Sequence, residues 1–336
     1  PRRQWLATLA LFIASILLAA GAGEVSLRLL GHRGAPQASL SNVELLPDPL
    51  LDWRYVPGSE IVEGRVVYHF NRAGFRDVDH ELANPSARSR ILVLGDSVSE
   101  GRGVPWDEVF APVLQARLGA TYEVINLAQA GLNTPQEVHL LEKVGLGYEP
   151  GVVVLNFVLN DCDFYSQLAS AQRYTAERDS EIGLLFGMPV DPRVKVWLKS
   201  SALVYFLKER IEELAGRLRG ENQNDYHQAL WSRPENRKKV ADGFDSLRAL
   251  RDAHGFRVVV LIWPLLTTYD PYPFREVHEW VRAQAQARGF EVIDLEPRFA
   301  RVPFRELQVT AEDGVHPNGR GHALGVEAFL AWLRER

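Results

Sequence analysis

The sequence predicts an α/β domain built on a parallel sheet with helices on both faces. From residue 90 onward, short apolar runs alternate with helical segments, and the runs are apolar throughout, as strands buried on both faces are. The helical segments have recognisable ends, with Pro135 near one helix start and Gly289 after one helix end. The 336 residues suffice for one such domain with additional segments.

Five apolar runs are predicted to be the strands of this sheet. They are Arg90–Leu94, Tyr122–Leu127, Gly151–Val158, Arg257–Trp263 and Phe290–Leu295. The segment Thr134–Glu137 has the form of a capping box and predicts that a helix begins there. Two further helices are predicted near Arg275–Arg288 and from about His322 to Leu333.

An insertion interrupts this alternation. Roughly a hundred residues separate the third and fourth strands, far more than a crossover helix needs. Within them, apolar residues recur at helical spacing and predict one apolar stripe. The stripe consists of Trp197, Val204, Leu207, Ile211, Leu214 and Leu218. We expect a helical insertion over about 164–234, whose helix packs on its own domain, covers the site as a lid or binds a partner.

The N-terminal segment is apolar enough to enter a membrane. The run over 6–23 follows two arginines and is about long enough to cross a bilayer core as a helix. Ala20–Ala22 has the small-x-small form of a signal-peptidase site, so a cleaved signal peptide is one interpretation. The apolar run continues past Glu24 without the polar start of a mature chain, which favours an uncleaved single-pass anchor. Arginines flank both ends, so charge alone does not set the orientation.

Three parts are expected along the chain. Residues 1–31 form the membrane anchor or signal segment, 32–87 a linker and a short β segment, and 88–336 the α/β domain with its insertion. Proline and glycine punctuate the linker. Residues 61–70 are rich in strand-forming side chains, and the polar turn Asn71–Gly74 follows them.

Composition excludes several classes of function. The net charge of −5 does not suggest a nucleic-acid partner. The single cysteine, Cys162, rules out an intramolecular disulfide and a cysteine-based zinc motif, and we expect it to be a small buried apolar residue. His139 and His322 lie in predicted helices and are expected to be surface or core residues. With no P-loop and no complete dinucleotide fingerprint, we expect no metal and no organic cofactor.

A candidate nucleophile follows the first strand in the run Gly95-Asp96-Ser97. Ligands of open parallel sheets bind at the carboxyl ends of the strands, so Ser97 lies where a substrate would bind. It also lies beside the amide-rich start of a helix or turn, where an oxyanion can be held. The same tripeptide fits an ordinary helix cap, so the motif alone leaves both interpretations open.

A candidate base lies near the C-terminal end, where Asp313 and His316 are three residues apart on one loop. A serine nucleophile needs a base, and the base needs a third group that fixes its tautomer. The Asp313 carboxylate can bind one ring nitrogen of His316 and leave the other for Ser97. Gly314 permits the bend and Pro317 stiffens it. A surface loop with a capping aspartate is the alternative.

Two candidate hydrogen-bond donors follow the second and third strands. A glycine at Gly131 lets a backbone N–H approach a substrate closely. The side-chain amide of Asn160 is a suitable donor to an oxyanion. Each has an ordinary structural explanation as a turn glycine or a capping asparagine. Together with Ser97 and His316, however, they place four candidate site residues at one edge of the predicted sheet.

These four blocks resemble the SGNH (GDSL) hydrolase superfamily. Ser97 matches the GDS block, Gly131 the glycine of the second block and Asn160 the asparagine of the third. His316, with Asp313 ahead of it, matches the DxxH block. The resemblance covers roughly the chain from position 88 onward, apart from the insertion.

The resemblance implies a fold and a role for each residue. The implied fold is a three-layer α/β/α sandwich with a five-stranded parallel sheet in the flavodoxin-like order 2-1-3-4-5. The implied catalytic residues are Ser97, Asp313 and His316, and the implied oxyanion hole combines the N–H of Ser97 with Gly131 and Asn160. One departure is a valine in the third block, at position 158, where the family usually has glycine.

The implied activity is that of a serine esterase that cleaves a short acyl or acetyl ester through an acyl-serine. An O-acyltransferase that moves acetyl to an envelope polysaccharide is one alternative, and a catalytically silent glycan-binding module is another. An α/β-hydrolase is disfavoured because its motif Gly-x-Ser-x-Gly would need glycine at position 99, which is serine.

Three features resemble membrane-anchored bacterial members of this superfamily. They are the apolar N-terminal run, the short β segment with Asn71 and Gly74–Arg76, and the insertion. The expected location is the cell inner membrane, with a single-pass anchor and the catalytic domain in the periplasm or outside the cell. The expected partners are an ester or acylated glycan substrate and the membrane, and a protein of the envelope polysaccharide machinery stays open.

Overall fold

The computed structural model describes residues 2–30, 42–63, 66–85, 87–163, 223–311 and 313–335, and shorter pieces at 183–185, 188–190, 198, 200–204, 206–208 and 210–211. The chain divides into two compact units. One comprises 1–40 and 168–222, and the other comprises 41–167 and 223–336. The domain boundaries expected from the sequence stay a prediction.

Strands and helices alternate through most of the second unit, and the described residues of the first unit add the long helix Arg2–Leu29 and the strands Gly183–Leu185 and Met188–Val190. The strands are β1 (Val43–Leu45), β2 (Trp53–Tyr55), β3 (Glu60–Glu63), β4 (Val66–His69), β5 (Ser89–Leu94), β6 (Tyr122–Asn126), β7 (Val152–Phe157), β8 (Gly183–Leu185), β9 (Met188–Val190), β10 (Arg257–Ile262) and β11 (Glu291–Asp294). The helices are α1 (Arg2–Leu29), α2 (Ser97–Glu100), α3 (Phe110–Leu118), α4 (Thr134–Lys143), α5 (Gln223–Trp231), α6 (Pro234–His254), α7 (Arg275–Ala287), α8 (Glu296–Phe299) and α9 (Gly319–Arg334).

The central sheet has five strands in the order β6-β5-β7-β10-β11, and all of its pairs are parallel. Numbered along the chain, this is the order 2-1-3-4-5, so the predicted fold class and strand order are confirmed. The strands are short because the buried apolar runs are short; in β5, for example, Ile91 to Leu94 are all fully buried. The carboxyl ends of all five strands lie at one edge, where the candidate residues follow them.

Helices cover both faces of this sheet, which makes three layers. On one face the buried side chains are Leu92, Leu155, Val260, Leu141 of α4, Phe244 of α6 and Val281 of α7. On the other face they are Ile91, Val154, Val259, Phe110 of α3 and Phe329 of α9. Neighbouring residues of each strand thus alternate between two cores. Burial of each large apolar side chain stabilises the fold by about 1.5–3 kcal/mol relative to exposure.

The start of α4 differs from the prediction by one residue. The N-cap is Asn133, whose side chain accepts from the N–H of Gln136, while the Gln136 side chain accepts from the N–H of Asn133. Thr134 is instead the first helical residue, and its N–H donates to the carbonyl of Asp161. The capping box expected from Thr134 was therefore wrong, because asparagine in the preceding position caps the helix equally well.

The short β segment contains two antiparallel hairpins, β1–β2 and β3–β4. Its aromatic residues form a small core of their own: Trp53, Tyr55, Tyr68 and Phe70 are all buried. The rings of Tyr55 and Phe70 stack with their centroids 3.9 Å apart. These four side chains therefore fill a core and present no stacking face to a sugar.

The first unit contains α1, which is long and apolar enough to cross a membrane over Ala7–Leu29. A signal sequence would share these properties, so the helix is compatible with either role. Near its end, the Glu24 carboxylate accepts the N–H groups of Ala202 and Leu203 and the hydroxyl of Ser201. In the predicted stripe of the insertion, Trp197, Leu214 and Leu218 lie outside the described residues, whereas Leu207 and Ile211 are exposed.

Candidate active site

The candidate nucleophile lies on the turn between β5 and α2. Asp96 is the N-cap of α2, and its Oδ1 accepts the N–H of Val98 at 2.9 Å. The turn requires glycine at position 95, since a Cβ there would overlap the side chain of Ser99 and press against Asn156. This tight turn places Ser97 as the first helical residue, with 8% of its surface exposed.

A continuous chain of hydrogen bonds joins the candidate nucleophile, base and acid. Ser97 Oγ lies 2.9 Å from His316 Nε2. His316 Nδ1 lies 2.8 Å from Asp313 Oδ2 and 3.0 Å from Oδ1. The contact between Ser97 and His316 spans 219 residues of sequence, so only the fold brings them together. The arrangement has the geometry that a serine nucleophile, its general base and an orienting carboxylate need.

The loop that carries the acid and the base is held at both ends. Asp313 Oδ1 also accepts the backbone N–H groups of Val315 and His316, at 3.0 and 2.8 Å. The Gly314 carbonyl accepts the N–H of Leu266, which lies after β10. Burial acts to raise the pKa of Asp313, but the hydrogen bonds and charge of His316 outweigh it, so this pKa lies below its ordinary value. Asp313 is therefore an ionised partner for the imidazole at neutral pH.

Three hydrogen-bond donors surround the same turn. Gly131 has a φ of +80°, a left-handed conformation that favours glycine and that follows the end of β6. Within the described parts of the chain, no acceptor is found for the N–H of Gly131 or for that of Ser97. Asn160 Nδ2 donates one hydrogen to Asp96 Oδ2 at 2.9 Å and keeps its second hydrogen for another acceptor.

The loop after β7 is fixed by Asp161. Its Oδ2 accepts the N–H of Val158 at 3.1 Å, and its carbonyl accepts the N–H of Thr134. Val158 takes no positive φ and is buried, so the valine that replaces the family's usual glycine fits this backbone. Asn160 thus lies within a loop that is closed by its own hydrogen bond and is also bonded to the start of α4.

Buried carboxyl groups lie beneath the candidate site. Asp96, Glu137 and Asp161 are all fully buried. Burial raises the pKa of Asp96, against the hydrogen bonds from Asn160 and Val98. Burial, followed by the charge of neighbouring acids, raises the pKa of both Glu137 and Asp161 well above the ordinary range. Desolvation therefore favours the neutral forms of these two groups.

Several residues near the site were not singled out by sequence reasoning. Both Glu100 and Arg76 are buried. Glu100 accepts a hydrogen bond from the Gly131 loop, and Arg76 donates to the carbonyls of Glu100 and Gly101 at the end of α2. Asp161 follows Asn160 directly, and its place in that motif could have drawn attention to it. Arg76 was named only within the segment Gly74–Arg76 and was given no role at the site, and Glu100 was not named at all. The partners of both residues are distant in the sequence, so no local pattern predicts these contacts.

The cysteine and the two histidines that the sequence placed outside the candidate site are buried or bonded to a neighbouring side chain. Cys162 is buried, and burial raises the pKa of its thiol to about 12. His322 is fully buried, which lowers its pKa to about 3. His139 bonds to Asp48 on the surface of α4. In the part of the chain that the structure describes, no three histidine, cysteine or acidic side chains are grouped to hold a metal ion.

Residues 93–324 match the GDSL-like lipase/acylhydrolase family, a span that starts in β5 and ends in α9. The chain belongs to this family. The match contains all four blocks that carry the resemblance seen in the sequence, which is thereby confirmed. No match was found among the curated proteins.

Solved structures similar to this chain include family hydrolases. The TesA structure is 16% identical, covers 74% of this chain and 99% of its own, and has a TM-score of 0.43. An acetyl xylan esterase is 13% identical, with 73% and 99% coverage and a TM-score of 0.44. A GDSL-like lipase from Bacteroides thetaiotaomicron is 14% identical, with 75% and 91% coverage and a TM-score of 0.41. None of these values decides the function of this chain.

Proposed function

We propose that the protein is a serine esterase that hydrolyses short acyl or acetyl esters through an acyl-serine intermediate. The single observation that carries the proposal is the hydrogen-bonded chain Ser97–His316–Asp313, with contacts of 2.9 and 2.8 Å. Membership of the GDSL-like lipase/acylhydrolase family supports the reaction class.

Acylation begins with Ser97. Its Oγ attacks the ester carbonyl carbon while His316 Nε2 takes the hydroxyl proton. The carbonyl double bond becomes a single bond to an oxyanion, and a tetrahedral intermediate forms. When the oxyanion reforms the carbonyl, the bond to the alcohol oxygen breaks, and His316 returns its proton to that oxygen. The products of this half-reaction are a free alcohol and an acyl-Ser97.

Deacylation repeats these steps with water. His316 removes a proton from water, whose oxygen attacks the acyl carbonyl, and then protonates Ser97 Oγ as the acid leaves. Asp313 holds the Nδ1 hydrogen of His316 in both halves, so that Nε2 faces the serine. The ionised Asp313 also stabilises the imidazolium that forms when His316 carries both protons.

The oxyanion in both halves is bound by three donors in this proposal. They are the N–H of Ser97, the N–H of Gly131 and the second amide hydrogen of Asn160. Donors that are already placed where negative charge develops stabilise the transition state more than the ground state. The bond from Asn160 to Asp96 supports this role, because it fixes the amide beside the nucleophile turn.

The proposed location is the cell inner membrane, with α1 as an uncleaved single-pass anchor and the catalytic domain in the periplasm or outside the cell. The support is the length and apolar character of Ala7–Leu29. The substrate class follows in part from this location, because esters of envelope components would lie within reach.

Transfer of an acetyl group to an envelope polysaccharide is the second candidate. Its acyl-serine would be the same, and only the acceptor in the second half-reaction would differ. A bound sugar hydroxyl must outcompete water, which requires a surface that orients the sugar. The aromatic residues of the β segment are buried, so they do not supply that surface. A silent glycan-binding module is disfavoured because it would not need a nucleophile in contact with a base.

The experiment is detection of the acyl-enzyme by intact-protein mass spectrometry after rapid mixing with a short aryl ester. The wild-type protein should gain one acyl mass, and peptide mapping should place it on Ser97. The control is Ser99→Ala, which removes a hydroxyl from the same short helix and should keep both acylation and turnover. Acylation that persists in Ser97→Ala would refute the proposal.

A second measurement separates hydrolysis from transfer. The enzyme is incubated with an acyl donor and candidate oligosaccharides, and acylated sugar is quantified against free acid. We expect free acid to predominate. Predominant acylated sugar would make hydrolysis the side reaction and favour the transferase.

A further inference from the structure

A buried carboxylate links the candidate nucleophile to the oxyanion loop. Glu100 is the last residue of α2, three residues after Ser97, and only 4% of its surface is exposed. Its Oε2 accepts the N–H of Ala130 at 2.8 Å, and its Oε1 accepts the hydroxyl of Tyr55 at 3.1 Å. The peptide that carries the Gly131 N–H begins at Ala130. One side chain of the nucleophile helix thus holds the loop that presents the Gly131 donor.

The β segment also holds the end of α2, through the side chain of Arg76. Arg76 is 1% exposed, and its guanidinium donates to the carbonyls of Glu100, Gly101 and Val104 at 3.0, 2.6 and 2.8 Å. It also lies 4.1 Å above the ring of Tyr68. These contacts fix the chain that leaves α2. Arg76 therefore connects the β segment to the end of α2, and Tyr55 connects it to the Glu100 side chain.

The charge state of Glu100 is sensitive to pH near neutrality. Burial raises its pKa from 4.5 to about 7, although the Ala130 N–H, Arg76 and Tyr55 act to lower it. Glu63 of β3 acts to raise it further, and Tyr68 of β4 also lies within electrostatic range. An ionised Glu100 is the stronger acceptor for the Ala130 N–H, because hydrogen bonds to charged groups are roughly twice as strong as neutral ones.

We propose that Glu100 is a positioning residue that fixes the Gly131 donor relative to Ser97, and that the β segment is part of this catalytic arrangement through Tyr55 and Arg76. The inference rests on the proposed esterase function. Its physical basis is that an oxyanion donor acts only when it is held at the correct place. A displacement of about 1 Å in such a group can cost about 100-fold in rate.

The test compares two substitutions at one position. Glu100→Ala removes both acceptor oxygens, so kcat on a short aryl ester should fall about 10- to 100-fold with little change in KM. Glu100→Gln keeps a neutral acceptor for Ala130 but is never ionised, so its kcat should lie between those of Glu100→Ala and the wild type. Glu123→Gln is the matched control, because Glu123 is a buried acid in β6 that pairs with Arg90 near the other end of the strand.

The pH profile supplies a readout that a purely structural role would not change. In the wild type, part of the acidic limb of kcat should come from Glu100, whose ionised form holds the Ala130 N–H most strongly. Glu100→Gln should lack this part, so its acidic limb should be less steep. Tyr55→Phe removes a bond that lowers the pKa of Glu100, so its acidic limb should shift to higher pH. This milder variant keeps the test available if Glu100→Ala does not fold.

Stability gives a further check of the same group. The folded-state pKa of Glu100 is raised, so the folded protein binds its proton more tightly than the unfolded chain does. The contribution of this group to stability is therefore lost as pH rises from about 4.5 to about 7. Glu100→Gln should lack this loss, and its Tm should change less across that range than the wild-type Tm.

The outcomes separate this inference from the function on which it rests. Folded Glu100→Ala with wild-type kcat would overturn the inference while leaving the esterase intact. The same would follow if Glu100→Gln had an unchanged pH profile, or if Glu123→Gln lowered kcat as much as Glu100→Ala. A wild-type protein that neither hydrolyses esters nor reacts with a fluorophosphonate at Ser97 would instead refute the proposed function, and the inference with it.

Discussion

At the scale of single residues, the side chains in and beneath the candidate site differ widely in burial and in charge. Ser97 is mostly buried but in contact with His316, and His316 contacts an ionised Asp313. Beneath them, Glu137 and Asp161 are fully buried, and desolvation favours their neutral forms. The one carboxylate that contacts the imidazole is thus the one whose pKa is lowered, which is the state that an orienting acid requires.

We expect Ser97→Ala and His316→Ala each to lower kcat on short aryl esters by several orders of magnitude. The double variant should be little worse than either single variant, because nucleophile and base act as one unit. Steady-state kinetics of the three variants, with circular dichroism to verify folding, would test this. Wild-type rates in folded Ser97→Ala would contradict the proposed mechanism.

We expect Asn160→Ala to lower kcat by about 10²–10³ with a smaller change in KM, as the loss of one oxyanion donor does. The measurement is kcat and KM on the same ester, together with Tm, because Asn160 also bonds to the buried Asp96. An effect confined to KM would mean that Asn160 binds only the ground-state substrate.

At the scale of secondary-structure elements, the strands agree with the prediction to within about one residue. The apolar runs predict them well because the residues of these strands alternate between two cores, although those of the edge strand β11 are only partly buried. The helix start at α4 shows where this kind of reasoning is weak. Asn133 and Thr134 are both good capping residues, and a local pattern does not choose between them.

The cap of α4 gives a test at this scale. Asn133→Ala should lower the free energy of unfolding by about 1 kcal/mol, because it removes the side-chain acceptor of the Gln136 N–H. Thr134→Val keeps the shape of the side chain and removes a hydroxyl that makes no cap contact, so it should be close to neutral. Urea denaturation of both variants measures the difference. A larger loss in Thr134→Val would restore the cap first predicted from the sequence.

At the scale of the whole molecule, the main question is where the catalytic domain is located. The apolar helix α1 fits an anchor by length and composition, and a signal sequence has the same features. The first unit also pairs Glu24 of this helix with Ser201, Ala202 and Leu203 of the insertion. These contacts join the helix end to other residues of its own unit, which supports the proposal that the helix is an anchor that stays part of the protein.

We expect the full-length protein to fractionate with membranes and to retain its N-terminal segment. The catalytic domain should be digested by protease added to spheroplasts, because we place it outside the cytoplasm. N-terminal sequencing and immunoblotting are the measurements. A mature chain that begins at Gly23 would favour a cleaved signal peptide, and protection from protease in spheroplasts would reverse the orientation.

The sequence by itself determined the sheet, and it singled out the residues at its edge. Buried strands appear in the sequence as short apolar runs, and the candidate site residues lie in short motifs outside these runs. These residues are Ser97, Gly131, Asn160, Asp313 and His316. Family resemblance supplied their roles and the strand order.

The tertiary structure decided which distant residues support the site. Glu100 meets Ala130 across 30 residues of sequence, and Arg76 meets the Glu100 carbonyl across 24. Such contacts leave no periodic or local signal, because they depend on how separate turns and hairpins pack against each other. The aromatic residues of the β segment depend on the tertiary structure in the same way, because a strand pattern alone does not show what covers them. Burial of Trp53 and Tyr68 in the folded chain decided for the core.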